Sequence, residues 1–311
     1  MKRKMPTRKA KSSTLETIRD EPAPGPTMRC KRSRYCKCTG IRQEALFSMQ
    51  GSSQGGEWTL YREIGERGVK FDWAFDVAAR HPDQIAVTDY RGKRIVICSI
   101  HGNQKSTSPM QRCPLRIAAV RTDNSLLVLE HRASHVKVLN IDNTLVYKSP
   151  TVPLNEVGKI AVELQSIAVK EDDTIVVGDV ERMVLTEHNP TDGELLRTIP
   201  AKIKPYFLAI DSNDRVVISG YKSDAVHVAD GNGASLFTIP PSLNGQPVRY
   251  CGRVYIDESG VYVAVHNGCK TGHIHHYDTD QGGFLKCIAQ GLERPGGFIF
   301  TSDGKLAVAD C

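Results

Sequence analysis

A short unit that occurs six times constrains this 311-residue chain more than any other feature. "FDVAARHPDQIAVTD" (75–89) returns as "LRIAAVRTDNSLLVLE" (115–130), "LQSIAVKEDDTIVVGD" (164–179) and "FLAIDSNDRVVISG" (207–220). It returns again as "GRVYIDESGVYVAVH" (252–266) and "GGFIFTSDGKLAVAD" (296–310). Each copy reads as an apolar strand, a tight polar turn and a second apolar strand that ends on a polar anchor. The anchors are Asp89, Glu130, Asp179, Gly220, His266 and Asp310, spaced by 41, 49, 41, 46 and 44 residues. All-strand repeats of this period predict propeller blades, because one four-stranded sheet cannot bury both faces until neighbours stack on it.

The first five copies continue into a third and fourth strand, with turns at His101-Gly102-Asn103, Asp142-Asn143, Asp192-Gly193, Asp230-Gly231 and Gly282. The expected blades are 75–109, 115–149, 164–200, 207–240, 252–288 and a truncated 296–311. "WTLYREI" (58–64) precedes the first copy with no blade of its own, and the last copy stops after two strands. The predicted fold is an all-β, six-bladed propeller with an incomplete last blade. The open strand edge predicts a fragment or an incomplete gene product, since natural sheets avoid such edges.

Charge sets the other boundary. Residues 1–56 hold 13 Lys/Arg against 4 Asp/Glu, so the remainder of this +6 chain is close to −3. That segment is expected to be a disordered basic tail ending in the linker "GSSQGG", with the propeller at 57–311. It has no apolar leader, and no run of about 18 apolar residues occurs anywhere, so no membrane span is expected. Nine scattered cysteines without an export signal read as free thiols. The expected location is cytoplasmic, with the nucleus open to it through "KRK" and "CKRSR". Cys30, Cys36 and Cys38 offer three thiols where a closed zinc site needs four ligands.

"IAVTDYRGKRIVICSIHG", with Asp89, Arg94 and Gly102, resembles an NHL repeat, as does "IVVGDVERMVLTEHNPTDG" with Asp179 and Arg182, while "LAVAD" matches at its end. The second copy carries Glu130, and the fourth and fifth lack the acid. The lead-in "YREIGERGVKFDWAFDVAA" is similar to that of the C-terminal propellers of tripartite-motif (TRIM-NHL) proteins. The resemblance implies recruitment of a protein substrate or of an RNA, in a family whose RING and B-box carry ubiquitin ligase chemistry. No paired C-x-x-C motifs at RING spacing and no long heptads occur here.

Propeller topology puts the loops between second and third strands on one face, together with the crossings between blades. Leaving out 149–163 and the anchors, that face gathers twelve bases: Lys70, Arg91, Lys93, Arg112, Arg132, Arg182, Lys202, Lys204, Lys222, Arg249, Lys270 and Arg294. Only Asp72, Glu181, Asp224 and Glu293 oppose them, and Trp73, Tyr90, Tyr206, Tyr221 and Tyr250 lie among them. Candidate binding residues are Tyr90, Arg91, Lys93, Arg132, Lys202, Lys204, Tyr206, Tyr221, Lys222, Arg249, Tyr250 and Arg294. Asp89, Arg94, Asp179, Arg182 and Asp310 are expected to be structural anchors. The opposite face gathers turn aspartates, which tight turns select for backbone reasons.

Catalytic motifs are absent, so no catalytic residue, cofactor or metal is assigned. His273 and His275 alternate onto one side of a strand and could ligate a metal, but His276 points to the other side and no matching carboxylate cluster appears in the blades. The expected activity is that of a monomeric adaptor for a protein substrate. RNA binding is the first alternative; a lyase- or lactonase-type propeller with a channel metal is the second.

Overall fold

A computed structural model describes residues 70–310 except 81, 82, 102, 222, 269, 302 and 303, together with the backbone of 45–50 and 59–64. The described residues belong to one compact unit, 41–311. Their architecture is that of a β-propeller, whose one helical element is the 3-10 turn Leu154–Glu156. No helix among them is long and apolar enough to cross a membrane.

Five antiparallel four-stranded sheets follow one another along the chain. The first blade comprises Ala74–Arg80, Gln84–Asp89, Arg94–Ser99 and Gln104–Pro109. The second runs from Pro114 to Pro150, the third from Leu164 to Pro200, the fourth from Phe207 to Ile239, and the fifth from Tyr250 to Leu292. A further four-stranded sheet is composite: Pro295–Phe300 and Leu306–Asp310 are joined by Ala45–Gln50 and then Thr59–Ile64.

The composite sheet corrects two expectations. The edge of Leu306–Asp310 is paired, Phe47 lying opposite Val308, so the open edge predicted there does not exist. The sheet also begins upstream of residue 56, the expected domain boundary. Ala45–Gln50 lies outside the repeats; it pairs with Thr59–Ile64 on one edge and with Leu306–Asp310, at the far end of the sequence, on the other.

The first strand of each sheet touches the first strand of the next, and Pro295–Phe300 touches Ala74–Arg80, so the inner strands form a closed ring. The hydrophobic core is divided accordingly. Each of six apolar clusters combines residues of two neighbouring sheets, such as Ile95 with Leu126 and Leu185 with Leu208. Burial is therefore earned between blades and not within them, as expected for stacked repeats.

The turn chemistry follows the sequence. Asn124, Asn143, Asp173 and Asp214 adopt positive φ, as do Gly193, Gly233 and Gly282. In the turn between the third and fourth strands of the fourth blade the left-handed residue is Gly233, two residues beyond the expected pair; Asp230 accepts from the amides of Asn232 and Ala234 there.

Candidate recognition face

The end of each second strand fixes the crossing loop that precedes its blade. In the first blade Asp89 is fully buried. Its Oδ1 accepts from the amides of Asp72 (3.0 Å), Trp73 (2.9 Å) and Gly92 (3.2 Å), and its Oδ2 from Arg94 Nε at 2.8 Å. Arg94 also donates to Lys70 O. Gly92 is required by proximity, because a Cβ there would stand 2.3 Å from Asp89 Oδ2.

Asp179 repeats the arrangement with the amides of Glu163, Glu181 and Arg182 and with Arg182 Nε at 2.6 Å. Asp310 accepts from the amides of Glu293 and Arg294 at 2.8 and 2.7 Å. Glu130 accepts from Arg112 N and pairs with Lys137 at 2.8 Å. Asp89 and Arg94 are cross-strand neighbours. Arg182 instead lies in the loop and reaches back to Asp179, whose strand partner is Val184.

Rings take over where the acid is missing. Tyr206 meets Tyr221 (6.2 Å between centroids), Tyr221 meets Tyr250 (5.3 Å), and Tyr250 stacks on His266 (4.8 Å, 15° between planes). The crossing into the fifth blade keeps one anchor bond, Arg249 N to Asn267 Oδ1 at 2.7 Å. Burial holds the His266 imidazole down at about 4, Arg294 adding to the effect and a bond to the Gly268 backbone opposing it.

A second ring cluster joins the first two blades. Trp73, Phe75 and Tyr90 pack within 6 Å of one another. Tyr90 Oη lies 2.9 Å from His131 Nδ1, and the Arg91 guanidinium covers Trp73 at 4.5 Å. Burial, then the neighbouring Arg132, lowers the His131 pKa, with Glu163 opposing.

The structure thus joins Tyr206, Tyr221 and Tyr250 in one ladder and places Tyr90 with Arg91 in the other cluster. Arg91, Lys93, Arg132, Lys202, Lys204 and Arg249 are exposed around them, and Arg294 is half-buried beside His266. Lys222 lies outside the described residues. Phe75, His131 and His266 were not among the candidate binding residues. For His131 the signal is positional, since it follows the anchor Glu130 directly as Tyr90 and Tyr221 follow Asp89 and Gly220; His266 occupies an anchor position itself.

Buried polar groups stand among the inner strands beneath this face. Buried Arg116 spreads over Phe75 (5.0 Å) and Phe207 (4.4 Å) and donates to Gln165 O at 2.8 Å. Arg253 pairs with buried Asp76 at 3.0 Å. Below them the second halves of the inner strands enclose about 540 Å³, lined mainly by apolar residues such as Ala79, Ala119, Val169 and Phe300, with Arg121 and Tyr255. Among the described residues, one trio of metal-ligating side chains is close enough to share an ion: His273, His275 and Cys287. It belongs to the third and fourth strands of the fifth blade, not to the channel lining.

No protein-family model matches the chain, and no curated protein matches it. Solved structures do. The β-propeller domain of Cps50 (Swd1) from Myceliophteria thermophila is similar with a TM-score of 0.59 at 10% identity, over 81% of this chain and 87% of that one. A protein of unknown function from Bacteroides caccae gives 0.56 at 13% identity, over 79% and 93%. Virginiamycin B lyase from Staphylococcus aureus gives 0.55 at 10% identity, over 76% and 78%. At such identities the likeness is one of fold alone.

Proposed function

We propose that this chain is a non-catalytic, NHL-type binding propeller that acts as a cytoplasmic adaptor for a protein substrate. The observation that carries the reading is the ladder Tyr206–Tyr221–Tyr250–His266 with Lys202, Lys204, Arg249 and Arg294 around it. Tyrosine and arginine are the side chains that most often anchor protein interfaces. The crossing between the second and third blades belongs to the same face and leaves Leu154 82% exposed, with Val157 and Ile160 also open. Apolar side chains of this kind suit a protein surface better than a phosphate backbone. Most rings of the face also pack on one another and not outward as free platforms for bases; Tyr221, at 52% exposure, is the most open of the ladder. The NHL assignment draws support from the buried Asp89–Arg94 and Asp179–Arg182 anchors. A lyase reading gains nothing from the channel, whose described lining is apolar apart from Arg121, Arg253 and Tyr255.

The test is cross-linking of the full chain in cell extract, repeated with Tyr221→Ala and with a combined Arg91→Glu, Lys93→Glu, Arg132→Glu variant. The reading expects specific proteins to cross-link to the wild type and to be lost from both variants. RNA as the cross-linked species would replace it with the nucleic-acid reading, the salt slope falling by about one for each phosphate-contacting base removed. An unchanged set of proteins on both variants would refute the face.

A further inference from the structure

The trio on the fifth blade is a site that adaptor binding does not use. His273 and His275 share one side of the strand Gly272–Tyr277, and Cys287 stands opposite His275 on the neighbouring strand Phe284–Leu292. The ladder between these strands shifts register three times, at Gly272/Ile274, Ile274/His275 and His276/Tyr277. Such irregularities re-aim side chains that a regular ladder would hold apart. Here they gather three donor atoms within 4.8 Å of one another.

We propose that His273, His275 and Cys287 bind a zinc-class divalent ion. Tetrahedral coordination at bond lengths of about 2.0–2.3 Å separates ligand atoms by roughly 3.5 Å. Cys287 Sγ already lies 3.8 Å from His273 Nδ1, so small side-chain adjustments complete the site. The set of two imidazoles and one thiolate selects borderline-soft ions over magnesium or calcium.

The surroundings suit the role. His275 is buried, and its Nδ1 lies 3.0 Å from Tyr277 Oη, which leaves Nε2 for the metal. A ligating histidine characteristically uses its second nitrogen in this way. His276 points away, stacked on Tyr262 and bonded to Ser259 O at 2.9 Å. Cys287 is exposed, so the fourth coordination position opens to solvent. An ion there would clip the two outer strands of the fifth blade together where their hydrogen bonding is most irregular. It would also leave one position for an exogenous ligand.

Cobalt(II) titration of the full, chelator-stripped chain tests the proposal. The expected result is one Co²⁺ per chain with a thiolate-to-cobalt charge-transfer band, displaced by Zn²⁺. Cys287→Ser should abolish the band, and His273→Ala should weaken binding at least tenfold by the ligand-loss logic of such sites. Tyr277→Phe should weaken binding by about 10- to 100-fold while keeping the band. A Cys30→Ser, Cys36→Ser, Cys38→Ser variant should bind as the wild type does. Absence of the band from the wild type, or its full retention in Cys287→Ser, would overturn the proposal. Both ligand variants lie at accessible positions, so a failure of the buried Tyr277→Phe variant to fold would leave them to decide it.

Discussion

The crossings into the first and fourth blades occupy equivalent places and are held by different chemistry. The first is tied by a buried carboxylate that gathers three amides and a guanidinium. The fourth and fifth have Gly220 and His266 at the anchor position, and their ends are bridged by Tyr206, Tyr221 and Tyr250. A buried carboxylate that loses its partners is strongly penalised, so it fixes loop geometry tightly. Ring contacts contribute about 0.5–1.5 kcal/mol beyond their area and tolerate displacement. Aromatic rings thus stand where the fourth and fifth blades lack an acidic anchor, and the recognition surface proposed above includes that ladder.

Breaking the anchored side should have the largest effect. Asp89→Ala leaves the amides of Asp72, Trp73 and Gly92 and the Arg94 guanidinium without their acceptor. A loss of about 3–5 kcal/mol in urea unfolding is expected. A loss below 1 kcal/mol would mean the carboxylate is not what holds the loop. Gly92→Ala probes the same anchor from the other side. Its Cβ has no room beside Asp89, and overpacking of that kind costs about 1–3 kcal/mol.

The ring-held side should respond to pH instead. His266 titrates near 6.5 when unfolded and at about 4 when folded. The unfolded chain therefore takes up the proton first. Its contribution to stability is fully present above about 6.5, declines as the pH falls toward 4, and levels off below. His266→Asn should flatten this share of the slope, measured as the difference between unfolding midpoints at pH 7.5 and pH 5. Equal slopes in both proteins would remove His266 from the account.

The sequence made the repeat legible because every copy pairs with itself locally: apolar alternation, an Asn, Asp or Gly turn, then a polar anchor. Asp89 and Asp179 were readable for the same reason. The closing strand Ala45–Gln50 was not, since it lies outside every copy of the repeat and one of its two partners, Leu306–Asp310, is at the far end of the sequence. Nor was the ladder, because stacking of Tyr250 on His266 depends on two strand ends that no spacing rule relates. Cys287 shows the same limit. Bulges, not simple alternation, bring it to His273 and His275. The basic residues could be read from the sequence as members of a set of loops, yet spacing alone does not relate them to the rings they surround.

The two kinds of crossing should differ in local stability, and native-state hydrogen exchange measures that difference residue by residue. The amides of Asp72, Trp73, Glu163 and Arg182, which donate to buried carboxylates, should exchange only through global unfolding. Those of Tyr206 and Arg249, in the ring-held crossings, and of Ser223, in the loop after Gly220, should exchange through local opening at distinctly lower free energy. Equal protection in both groups, or faster exchange at the carboxylate-held amides, would contradict it.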